Sequence, residues 1–102
     1  MRCRRGRRRK VGKGDDVLVK VTNVMVPVKP MNGEYYTLNE LQSYVGGYIE
    51  TVRLGEKLLL VDEEGKIKGK LPNHIATGWL VLDGYHDWVA GDAMLIDRRH
   101  MR

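Results

Sequence analysis

A small α+β domain with a mostly antiparallel sheet is the fold this chain predicts, on three observations. A helix with clear start and stop signals sits in the middle of the sequence. Short β-rich runs separated by glycine turns lie around it. The length, 102 residues of which 42% are hydrophobic, supports one domain with a modest core. Residues 15–102 are expected to form that domain and residues 1–14 a flexible basic arm.

The charge divides along the same boundary. The formal net charge is +5, yet residues 1–13 carry eight basic side chains and no acid. Taking those eight from the eighteen in the chain leaves ten against thirteen acidic residues, so the domain is at −3. The arm, with Arg4, Arg5, Arg7, Arg8 and Arg9, has no apolar periodicity and is expected to be disordered alone. It reads either as a phosphate-seeking arm for nucleic acid or as a solvated tail. A secretory signal is not expected, because the basic start lacks an apolar segment, and no run has the length of a membrane span. The single cysteine, Cys3, has no internal partner, which suits a reducing cytoplasm.

In chain order, residues 15–28 alternate Val17, Val19 and Val21 with Leu18, Lys20 and Thr22, predicting one strand that ends near Pro27. Pro30-Met31-Asn32-Gly33 signals a turn, after which Glu34-Tyr35-Tyr36 reads as a further short strand. Thr37 and Glu40 have capping-box spacing, Leu38, Leu41 and Val45 follow at helical spacing, and Gly46-Gly47 stops the helix, predicted over about 37–46. Tyr48 to Leu54 and Leu58 to Val61 form a hairpin around Gly55. The second of these runs is apolar on both faces, so it is expected as the central strand, covered by the helix or by a second subunit. Asp62-Glu63-Glu64-Gly65 reads as a solvated turn, and Lys66, Lys68 and Lys70 as lysines guarding a sheet edge. Asn73 caps a short helical turn over about 74–81, with Trp79 and Leu80 in the core. Tyr85-His86-Asp87-Trp88 is a polar-aromatic loop, and Val89 to Asp97 closes the sheet with a bulge or turn at Gly91-Asp92.

The segments LNELQSYVGGYIETVRL, VDEEGKIKGKLPN and VAGDAMLID resemble a small domain of phages and prophages known as DUF3846, a group that includes phage anti-Thoeris sponge proteins. The resemblance runs from Tyr36 to Asp97, with the family's L-P-x-N standing here as Leu71-Pro72-Asn73 and no counterpart to the arm. It implies an anti-defence binding protein in the host cytoplasm that sequesters a cyclic ADP-ribose-type or cyclic oligonucleotide signal without turnover. It also implies a homo-oligomer with the ligand at or near subunit interfaces.

Candidate ligand contacts are Asn73 for a polar group, Tyr48 or Trp88 for base stacking, and Arg53 or a terminal arginine for phosphate. His74, at a helix start, is a possible phosphate partner. Only Tyr48 and Asn73 stand on the recurring motifs; the others follow from their chemistry. Each also has a plain structural reading: Asn73 as a cap, Tyr48 half-buried, Arg53 and His74 solvated, Trp88 anchoring its loop. Catalysis is not expected, since no nucleophile elbow, Walker loop or HExxH is present. His74, His86 and His100 lack metal-ligand spacing, so neither metal nor cofactor is expected. The alternative function is a small nucleic-acid-binding phage protein acting through the arm.

Overall fold

The computed structural model describes residues 16–101, which form an α+β domain with helices on both faces of a single sheet. The arm containing Arg4, Arg5, Arg7, Arg8 and Arg9 lies outside the described residues, as does Arg102. The elements run β1 (Asp16–Val19), β2 (Met25–Val28), α1 (Leu38–Val45), β3 (Ile49–Leu54), β4 (Lys57–Asp62), α2 (His74–Leu82), β5 (Ala93–Asp97) and a 3-10 turn at Arg98–His100. The strand order is β2-β1-β5-β4-β3, and every neighbouring pair is antiparallel.

The opening segment is a hairpin rather than one strand. Asn23 adopts a positive φ of 68°, and the Lys20 N–H donates to the Val24 carbonyl at 2.8 Å, folding β2 back on β1. Asparagine tolerates that left-handed conformation better than most residues, so Thr22-Asn23 is a turn embedded in an alternating pattern. Residues 34–36 are not a strand; the Tyr36 N–H is taken by the His100 carbonyl at 2.9 Å.

Helix α1 has the capping box its sequence announces. Thr37 Oγ1 accepts from the Glu40 N–H, and Glu40 Oε1 accepts from the Thr37 N–H at 2.9 Å. Leu41 and Val45 are buried while Leu38 stays 61% exposed at the first turn. Helix α2 is longer than a turn, nine residues, capped by Asn73, whose Oδ1 accepts from the Ala76 N–H at 3.1 Å.

The two core layers follow from side-chain alternation in the strands. Leu18, Leu60, Met94 and Ile96 meet Tyr36, Leu41 and Val45 on the α1 face. Leu59, Val61 and Ala93 meet Ala76, Leu80 and Val89 on the α2 face. The double burial of β4 thus comes from two helices of the same chain, and the middle strand of the five is β5, not β4. Leu80 is buried and Trp79 half-buried against the same α2 layer.

Candidate functional site

The three motif segments, distant in sequence, come together at the C-terminal end of α1. Gly46 ends the helix in the left-handed region, φ 85°, which glycine enters without a Cβ penalty. The last carbonyls of α1 are then met by cations. Lys70 Nζ donates to the Val45 and Gly46 oxygens at 3.1 and 3.3 Å, and Lys68 Nζ donates to the Gly46 oxygen at 3.4 Å. Positive charge is favourable at this end of a helix, where the carbonyl dipoles converge.

The same two lysines neutralise a buried carboxylate. Asp62, at the end of β4, is 5% exposed, and its Oδ2 lies 2.6 Å from Lys70 Nζ and 2.9 Å from Lys68 Nζ. Its Oδ1 accepts from the Glu64 N–H at 2.8 Å. Burial pushes the Asp62 carboxyl up, but the Lys70 bond, the Glu64 N–H and the Lys68 bond outweigh it and hold the group down at about 2. The acidic turn is therefore not simply solvated, and Lys68 and Lys70 do not guard a sheet edge. Lys66, the third of the row, pairs with Asp87 and lies 4.9 Å from the Trp88 ring centre. Three lysines at alternate positions read as one solvated face in sequence. What separates them is the turn over residues 63–69, which no periodicity rule describes.

Glycines make the space for these side chains. A Cβ at Gly47 would stand 2.6 Å from Lys68 Nζ, and one at Gly91 would stand 2.7 Å from Lys70 Cδ. Gly91 has φ 93° and is fixed on both sides: its N–H donates to the Leu71 carbonyl at 2.8 Å, and its carbonyl accepts from Asn73 Nδ2 at 3.0 Å. The next residue, Asp92, accepts from the Val21 N–H through Oδ1 at 3.0 Å and has no second partner among the described residues. Between these walls lies a cleft of about 420 Å³ lined by Val21, Tyr44, Gly46, Lys70, Leu71 and Asp92, among others. It brings together a cation, a carboxylate, a half-buried tyrosine and apolar surface.

The five residues singled out by sequence do not meet in one place. Asn73 is 0% exposed, and all its polar atoms work internally, on the Val19 and Gly91 carbonyls, the Ala76 N–H and the Val89 carbonyl. It supports the cleft wall from behind instead of facing a ligand. Tyr48 is exposed and, with Gln42, Gly47, Glu64 and Lys68, borders a smaller hollow of about 180 Å³. Arg53 is at the far end of β3, where its Nε donates to the Gly55 carbonyl at 3.2 Å and its own carbonyl accepts from the Tyr85 hydroxyl at 3.0 Å. Five residues of extended chain, roughly 16 Å, separate it from Tyr48. Trp88 is exposed beside Lys66, and His74 is exposed at the start of α2.

A second buried carboxylate, Asp16, lies outside every local sequence pattern. Asp16 Oδ2 accepts from the Tyr36 hydroxyl at 2.8 Å and lies 2.6 Å from His100 Nδ1, while its Oδ1 accepts from the Asp97 N–H at 2.9 Å. Burial, then the Asp16 bond and charge, push the Tyr36 hydroxyl far above its usual range. This knot ties the 3-10 turn to the start of β1. Its members are spaced too widely for any local pattern to join them.

Among the described residues no group of three or more His, Cys, Asp or Glu is placed to hold a metal ion, and no helix is long and apolar enough to cross a membrane. The model of a family described as a domain of unknown function, DUF3846, matches residues 16–100. Comparisons with curated proteins and with solved structures give no match.

Proposed function

The chain belongs to the DUF3846 family, and from that premise we propose that it is a phage-type anti-defence protein that sequesters a nucleotide-derived cyclic signal without turning it over. The observation that carries this reading is the convergence of all three motif segments on one preformed cleft. Its volume, about 420 Å³, falls within the range of small-molecule sites, roughly 300–1,000 Å³. Its groups suit a nucleotide. Asp92 accepts ribose hydroxyls through its second oxygen, Tyr44 with Val21 and Leu71 takes the base, and Lys70, whose N–H groups stay on Asp62, Val45 and Gly46, holds the wall between them. The glycine-lined walls and the cross-links from Asn73 hold this arrangement before ligand arrives, which lowers the entropy cost of binding.

The signal is of cyclic ADP-ribose or cyclic oligonucleotide type, met in the host cytoplasm by a homo-oligomer. The test is native mass spectrometry of protein purified from cells making such signals, followed by calorimetry with cyclic ADP-ribose. Retained ligand mass, and binding weakened at least tenfold by Asp92→Asn, is expected. A protein that carries no small molecule and gives no binding heat overturns the reading. The eight basic residues of the arm favour a second one, nucleic-acid binding. Its signature is affinity for DNA or RNA that falls steeply with salt and vanishes when residues 2–10 are deleted.

A further inference from the structure

We infer that α2 is the contact face of a homodimer, in which two copies pair these helices antiparallel about a two-fold axis beside Gly78. Helix α2 is apolar nearly all the way round. Of the nine residues in HIATGWLVL only His74 and Thr77 are polar, and Thr77 Oγ1 is engaged by the Val89 N–H at 2.9 Å. The sheet already uses one side, burying Ala76 and Leu80. At 100° per residue, Ile75, Gly78 and Leu82 occupy the opposite side. A surface helix normally carries polar residues there. Here Leu82 is 87% exposed and its neighbour Val81 58%.

The occupant is identified by how this face fits itself. A Cβ at Gly78 would meet nothing within 4 Å, so the midpoint of the helix is open to a second backbone at close range. Antiparallel pairing about that point sets Ile75 of each copy against the partner's Leu82. It also sets His74, exposed at the start of the helix, beside the partner's Asp83, exposed at its end, and opposes the two helix dipoles. A hollow of about 230 Å³ at the C-terminal end, lined by Leu54, Trp79, Leu82, Asp83 and Leu95 among others, receives the partner's Ile75. The contact is isologous, so each of these fits occurs twice and the assembly closes. The sheet edges are less open: Pro27 on β2 lacks an N–H, and the Tyr85 hydroxyl occupies the Arg53 carbonyl on β3.

This gives an interface to the oligomer of the proposed function and rests on that reading only for its biological use. The experiment is sedimentation velocity of the full chain over a concentration series. The wild-type protein is expected to sediment as a dimer, and Leu82→Glu as a monomer with unchanged circular dichroism, because that side chain is already in solvent in the single copy. Ile67→Glu, equally exposed at 86% but away from α2, is expected to leave the dimer intact. A wild-type monomer at every concentration overturns the inference and leaves the face to a different protein. So does a dimer that survives Leu82→Glu. Cyclic ADP-ribose titrated into the same samples reads the cleft separately, so failure of the interface and failure of the ligand reading are distinguishable.

Discussion

Replacing Asp62 by Asn tests the electrostatic organisation of the cleft directly. Asparagine keeps the shape and one acceptor for the Glu64 N–H but removes the charge facing Lys68 and Lys70. Holding the carboxyl at about 2 instead of its ordinary 3.8 corresponds to about 2.5 kcal/mol of preference for the charged form in the folded protein. Losing one partner of a buried pair costs about 3–5 kcal/mol when the orphan stays buried. Here both lysine side chains are partly exposed, 38% and 26%, and turn to water, so the smaller figure applies. The expected loss, about 2–3 kcal/mol, lowers the melting temperature by roughly 10–15 °C for a domain of this size. Urea unfolding at several pH values is the assay. The folded-state value is depressed, so the wild-type advantage is complete above pH 4 and disappears as pH falls through about 2. The variant lacks that limb. If wild type and variant differ by less than about 0.5 kcal/mol at neutral pH, or decline in parallel under acid, the lysines do not stabilise the charged carboxylate.

Three more outcomes follow from the same geometry. Asn73→Ala removes a helix cap and two buried donors, so the unfolding free energy from urea titration is expected to fall by about 2–4 kcal/mol, with cyclic ADP-ribose affinity falling as Gly91 loosens; unchanged affinity separates Asn73 from the cleft. Gly91→Ala puts a Cβ against Lys70 in a left-handed backbone, for about 1–3 kcal/mol measured by thermal melting. Tyr36→Phe frees one acceptor of Asp16 and costs about 1 kcal/mol. In the wild-type protein Tyr36 has a raised folded-state value, so its contribution is complete below pH 10 and is lost at higher pH, which ultraviolet titration reads as one tyrosine that ionises only on alkaline unfolding.

What the sequence made legible was local. The capping box, the glycine stop and the Asn73 cap were readable because each is a contract between residues three or four apart. The hairpin at Asn23 was hidden because the alternation of Val17, Val19 and Val21 runs on past the end of β1 into the turn. The cleft was half visible: its motifs could be found, but their meeting depends on side chains crossing from one segment to another, as Lys70 does to Asp62 and to the end of α1. Asn73 was chosen for its chemistry and turned out to spend that chemistry inside the protein.

The position of β5 has a consequence for when this protein becomes a protein. Before Ala93–Asp97 exists, the chain holds two separate hairpins, β1 with β2 and β3 with β4. Only β5 joins them, reaching back to pair Val17 with Leu95 while pairing Leu59 on its other side. During synthesis the domain must therefore wait with Leu18, Leu59 and Leu60 uncovered until its final strand emerges. Long-range pairing of this kind folds slowly and leaves sticky intermediates for longer. The ribosome delivers the keystone last, so a chain shortened before residue 93 is expected to contain most of the elements and none of the cooperative fold.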